Sequence, residues 1–103
     1  MNPSTFTPYT SLIEAETYRF NKQYEKAATE YFNCIESALK SENIILHALG
    51  NERAARFFLG QQQQSMGYQF LTATIRYYEE WGARAKVMRL QTEFPALMVN
   101  QKR

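Results

Sequence analysis

Between residues 9 and 94 this chain of 103 residues contains no proline; its three prolines stand at positions 3, 8 and 95. Proline ends or kinks a helix by removing a backbone donor and clashing with the preceding turn, so the whole stretch is free to form long helices. Glycine is scarce too, with four residues at 50, 60, 67 and 82. The chain is 45% hydrophobic and 15% aromatic with 21% charged residues, which is enough apolar material for a core. Its length fits one small domain and excludes a multidomain enzyme. Twelve Lys and Arg against ten Asp and Glu leave +2, short of the balance that phosphate-backbone binding needs, so nucleic acid is not an expected partner. A lone cysteine, Cys34, can form no internal disulfide, and no run approaches the ~20 apolar residues of a membrane span. Met1 to Thr10 carries no charge and fits neither a secretory signal nor a transit peptide, so a cytoplasmic protein away from membranes is expected.

The apolar spacing predicts five helices. Ser11 and Glu14 have the spacing of a capping box, which marks a first helix from Ser11 to about Asn21. After the polar break Asn21-Lys22-Gln23, a second helix carries two stripes, Ala27, Tyr31, Cys34 and Ala38 beside Ala28, Phe32, Ile35 and Leu39. Ser41-Glu42-Asn43 offers cap-type side chains before a third apolar run from Ile44 to Leu59, which contains Gly50 as a point of bending or close packing and ends before Gly60. Gln61 to Gln64 read as a solvated turn and helix start. Met66, Phe70, Ala73, Tyr77 and Trp81, with Leu71, Ile75 and Tyr78 beside them, define a fourth helix interrupted by Gly82. Ala83, Val87, Leu90 and Phe94 define a fifth, ended by Pro95. The fold class is therefore all-α: antiparallel helical hairpins stacked as a short solenoid over residues 10–97, between a flexible tail at 1–9 and another at 98–103. An echo at an offset of 46 lays Tyr24, Ala27, Tyr31 and Phe32 on Phe70, Ala73, Tyr77 and Tyr78.

Tyr24-Glu25-Lys26-Ala27 with Tyr31 and Cys34, and Ala15 with Tyr18 before them, resemble a tetratricopeptide repeat (TPR). A second resemblance is carried by Ala48, Asn51-Glu52, Ala54 to Leu59, Tyr77, and above all Trp81-Gly82-Ala83-Arg84-Ala85-Lys86-Val87 with Leu90 and Phe94-Pro95. These residues are similar to the TPR-like helical segment of multi-sensor hybrid histidine kinases and related serine/threonine kinases. There the segment lies between an AAA-type ATPase region and the GAF and kinase modules, and this chain has none of those modules. The resemblance implies a helical platform for protein interaction in kinase signalling, without phosphotransfer.

No side-chain constellation calls for catalysis. His47 is the only histidine and has no second ligand at metal spacing; the isolated glycines form no phosphate loop. Cys34 falls on an apolar stripe and reads as core filler, and Glu79-Glu80 diverge on a helix, so a solvated face explains them. Arg84, Lys86 and Arg89 read as a solvated basic face. No enzyme activity, cofactor, metal or small-molecule substrate is expected. Ala27, Tyr31, Ala73, Tyr77, Trp81, Gly82 and Val87 are the expected helix-packing positions, with the Trp81 indole covering the corner at Gly82. The inner face of a helical stack comes from the first helix of each pair, which makes Glu16, Arg19, Phe20, Arg53, Arg56 and Phe57 the candidate partner-binding residues. Fewer than three repeats leave end faces open, so self-association or continuation in a longer kinase-like protein is expected; the alternative is a regulatory fragment of a larger signalling kinase, a dimerisation or linker segment whose helices four and five pair across a two-fold axis.

Overall fold

The computed structural model describes residues 7–95 and contains five helices in chain order: α1 (Thr7–Phe20), α2 (Tyr24–Lys40), α3 (Ile44–Gly60), α4 (Gln64–Trp81) and α5 (Arg84–Glu93). No strand occurs among the described residues. Consecutive helices pack against one another as antiparallel neighbours, and α1 also touches α3. The odd-numbered helices thus line one side of the stack.

Every corner has the same construction. Lys22, Glu42, Gln62 and Gly82 adopt the left-handed conformation, at φ 63°, 58°, 63° and 87°. Around each, two amides turn back on the helix just ended: Lys22 N–H donates to the Arg19 carbonyl at 3.0 Å and Gln23 N–H to that of Tyr18 at 2.8 Å, and the other three corners repeat the pattern. This is the Schellman closure, which satisfies carbonyls that a helix end leaves open. The Asn43 side chain adds a start signal, accepting the Leu46 amide at 3.1 Å.

The four corners fall every twenty residues, and burial keeps the same beat. Ala27, Tyr31, Cys34 and Ala38 are buried on α2; twenty residues on, His47, Asn51, Ala54 and Phe58 are buried on α3; twenty further, Gly67, Leu71, Thr74 and Tyr78 on α4. The structural repeat is therefore one helix and its corner, and the echo at 46 residues does not coincide with it. Tyr31 is fully buried whereas Tyr77 is only partly so. On α4 the buried stripe is turned by one residue from the expected one: Tyr78 goes inward, Ala73 and Tyr77 lie at the edge, and Trp81 is half-exposed. The reason lies in α3. A Cβ at Gly67 would sit 2.6 Å from the Leu59 side chain and 3.2 Å from its backbone nitrogen, so the glycine allows a close approach of α4 to α3 and turns its own face inward. Glycine and threonine carry no apolar signal, so spacing arguments favour the wrong stripe.

Gly50 does the same between α2 and α3, where a Cβ would meet the Cys34 Sγ at 3.0 Å and Ile35 at 3.2 Å. Close packing, the second expected role of Gly50, is what the structure has. α3 divides the core: Ala54, Phe57 and Phe58 pack with Leu12, Ala15, Ala27, Tyr31 and Cys34, while Ala48 and Ala55 pack with Leu71, Ile75, Tyr78, Val87 and Leu90. Truncating a central member such as Leu71 to alanine removes about 2–5 kcal/mol by lost transfer energy and cavity formation.

The first helix begins earlier than Ser11. Thr7, Pro8 and Tyr9 belong to α1, and Ser11 is a buried residue inside it, so Ser11 and Glu14 form no capping box. Pro8 sits in the first turn, where a missing N–H costs nothing and a fixed φ suits the helix. Positions 1–6 of the expected N-terminal tail and all of 98–103 lie outside the described residues.

Candidate protein-docking surface

The polar groups of the odd-helix side form a ladder of two separate, similar clusters. On α1, Glu16 accepts a hydrogen bond from the Tyr31 hydroxyl at 2.6 Å and one from Arg19 at 3.3 Å, and lies 4.0 Å from Arg53 on α3. On α3, Glu52 accepts from the Tyr78 hydroxyl at 2.7 Å and from Arg56 at 3.3 Å, and lies 3.9 Å from Lys86 on α5. The two arrangements match: a carboxylate on an odd helix takes a hydroxyl from the even helix after it and cations from its own helix and the next odd one. Arg56 completes the ladder by holding Glu93 of α5 through two nitrogens, at 2.6 and 2.9 Å.

The electrostatics follow from burial and these contacts. Burial is the main reason that both tyrosine hydroxyls are pushed well above their ordinary range, and hydrogen bonding to Glu16 and Glu52 raises them further, so they remain donors. The Arg56–Glu93 hydrogen bonds raise the guanidinium and lower the carboxyl. Lys86 and Arg56 also lie over aromatic faces, Lys86 at 5.1 Å from the Tyr78 ring centre and Arg56 at 5.5 Å from that of Phe94.

Beside the Glu16 end of the ladder runs an open groove of about 440 Å³ between α1 and α3, lined by Leu12, Ile13, Thr17, Phe20 and Leu49 with Glu16 and Arg53. Phe20 is 85% exposed at its edge. Four of the six expected contact residues, Glu16, Arg19, Phe20 and Arg53, therefore gather on one surface. The other two do not join them. Phe57 is buried, its ring 5.2 Å from Tyr31 and 5.0 Å from Phe58, because the α3 positions after Arg56 turn into the core. Arg56 is engaged by Glu52 and Glu93 and anchors α5.

The apolar lining, Leu12, Ile13 and Leu49, escapes sequence reading because apolar residues on a helix read as core, which Leu12 also is and against which Leu49 packs. Glu52, Tyr78 and Glu93 were legible only in part: Glu52 and Arg56 stand at the i, i+4 spacing of a helical ion pair, but nothing in the sequence joins them to α4 or α5. Lys86, read as part of a solvated basic face, reaches Glu52.

Val87, expected at a packing position, is buried against α4. At the fourth corner Gly82 is no packing position: a Cβ there would meet nothing within 4 Å, and glycine is favoured by φ 87° alone. The Trp81 ring stacks on Tyr78, with centres 6.1 Å apart. Cys34 is buried, and burial pushes its thiol up to about 11, which keeps it protonated and weakly nucleophilic. His47 is buried against the Tyr77 ring at 4.5 Å, and burial lowers its pKa. Among the described residues no group of three or more His, Cys, Asp or Glu side chains could hold a metal ion, and no helix is long and apolar enough to cross a membrane.

The chain matches no model of a known protein family, no curated protein and no solved structure. Its likeness to TPR units and to the kinase-associated helical segment rests on the quoted residues alone.

Proposed function

We propose that this chain is a non-catalytic protein-interaction scaffold that receives its partner on the odd-helix face. The observation that carries this reading is the groove between α1 and α3, in which apolar walls from Leu12, Ile13, Phe20 and Leu49 stand beside the charged pair Glu16 and Arg53. Apolar contact area next to a fixed charge is the usual composition of a binding surface. The groove is held in shape before any partner arrives, since Tyr31, Arg19 and Arg53 all fix Glu16, so the ordering cost on binding falls mostly on the partner. Its place in two-component or kinase signalling, and in the cytoplasm, is supported by the Trp81 to Val87 resemblance and by the single, buried Cys34.

Selection of binders from a random peptide library on the immobilised full-length chain tests the reading. Peptides that bind wild type and lose at least about tenfold in affinity on Phe20→Ala or Arg53→Glu are expected. Peptides indifferent to both substitutions, or no binders at all, would remove the groove from consideration.

A second reading, a helical linker or dimerisation segment of a larger signalling kinase, is favoured by one observation. α5 is an odd helix with no even helix after it among the described residues, and Met88 and Val87 border an open groove there with Glu79, Arg84 and Gln91. Cross-linking through cysteines placed at Arg84 or Lys86 separates this reading from the first.

A further inference from the structure

α1 and α3 both pack along α2 and touch each other only lightly, so the space between them is left as a trough, lined from α1 and α3 alone. A third rod laid there would rest on both helices as α2 does, and an α-helix, about 10–12 Å across with its side chains, has the matching diameter. Along α1 the lining runs in a fixed order: Leu12 and Ile13 come first, Glu16 follows with Arg53 opposite, and Phe20 closes the far end. From Leu12 to Phe20 the trough is about 12 Å long at ~1.5 Å per residue, which is about two helical turns. Tyr9 and Ile45, each more than half exposed, stand one turn before Ile13 and Leu49, at the spacing that carries the apolar walls further.

Charge decides which kind of helix fits. Two arginines share one oxygen of Glu16: Arg19 donates to it at 3.3 Å, whereas Arg53 stays 4.0 Å away, too far for a hydrogen bond. The other oxygen is taken by the Tyr31 hydroxyl at 2.6 Å. The Arg53 guanidinium, nearly half exposed, therefore lines the trough with a planar fork of donors that Glu16 does not engage. One turn along α3, Arg56 uses the same fork to hold a helix-borne carboxylate, that of Glu93, through two nitrogens. The surplus extends past the trough: α1, α3 and α5 carry six Lys and Arg against four Glu, while α2 and α4 carry three against five. A basic segment would meet Arg19 and Arg53 as like charges, and an acidic one is drawn to the odd-helix side.

We propose that the trough receives an acidic amphipathic helix of another protein. Such a helix sets one apolar side chain against Ile13 and Leu49, a carboxylate on Arg53 and a second apolar side chain on Phe20, at positions i, i+3 or i+4, and i+7. This rests on the groove being a docking surface, as proposed above, and adds the conformation and charge of what docks.

The peptides selected on the immobilised full-length chain test it, once sorted by loss of binding on Phe20→Ala. Those that depend on Phe20 should be acidic, with Glu or Asp three or four residues from an apolar residue on each side. Proline at the middle of such a peptide should lower its affinity at least about tenfold, because it breaks the helix. Arg53→Gln should lower affinity about tenfold, as should Gln in place of the peptide carboxylate, and the two changes together should cost no more than either alone. Phe20-dependent peptides that are neutral or basic, that tolerate the proline, or whose two charge changes add independently would overturn the proposal while leaving the docking surface in place. So would sedimentation in which copies of the chain fill one another's trough and Arg53→Gln releases monomers. No Phe20-dependent peptide at all would remove the docking surface, and this inference with it.

Discussion

Glu16 and Glu52 carry equivalent bonds, yet their surroundings differ: the Glu52 side chain is 12% exposed and that of Glu16 31%. A carboxylate that loses a donor is partly compensated where water can reach it and is not where water is excluded. Tyr78→Phe is therefore expected to cost about 2 kcal/mol and Tyr31→Phe about 1 kcal/mol, the order being checked by urea denaturation of the two variants. Should Tyr31→Phe prove the more damaging, the hydroxyls would not act through their carboxylates. His47 supplies a pH dependence. Its folded pKa lies below the ordinary 6.5, so its contribution is fully present above that value and is lost as pH falls through 6.5 toward the lowered pKa. Glu93, whose pKa is lowered from 4.5, loses its contribution only further down. Stability measured from pH 7 to pH 5 should thus decline in the wild type, and the slope should flatten in His47→Gln.

Single elements are defined by their corners as much as by their apolar faces. Three of the four corner residues, Lys22, Glu42 and Gln62, hold a left-handed conformation that costs a side-chain-bearing residue about 1 kcal/mol, whereas Gly82 adopts it freely. Replacing any of the three by glycine is expected to raise the melting temperature by a few degrees, part of the gain being offset by the flexibility that glycine adds to the unfolded chain. Gly82→Ala should lower stability by about 1 kcal/mol, even though its Cβ would meet no neighbour. Thermal melts followed by circular dichroism on these four variants check the assignment. An unchanged Gly82→Ala would mean that the fourth corner relaxes.

Across the whole molecule stability is uneven, because α3 lies between the two core clusters while α5 lies at one end. α5 has ten residues, of which Val87 and Leu90 are buried, and two polar links tie it to α3: Lys86 to Glu52 and Glu93 to Arg56. Elements with little buried apolar surface open first. Amide exchange should therefore be fastest in α5 and slowest in α3. Glu93→Gln should speed exchange in α5 while leaving α2 unchanged; equal acceleration everywhere would show that α5 does not open independently.

The proline-free run and the apolar spacing along it were sufficient to place five helices, apart from the start of α1, which lies at Thr7 and not at Ser11. The polar breaks at 21–23, 41–43 and 61–64, with Gly82 at the fourth, located the corners. These are local properties: helix spacing, caps and turn residues act within a few positions of the chain. The inward turn of the Gly67 face of α4 lay beyond that range, since it depends on the close approach to Leu59 that Gly67 allows. So did the burial of Phe57, the recruitment of Lys86 and Glu93 to α3, and the assembly of a groove from Leu12, Ile13, Phe20 and Leu49. Local patterning states that a residue is apolar or charged. Which neighbouring rod it meets depends on the distance and angle at which whole helices settle, and only packing fixes those.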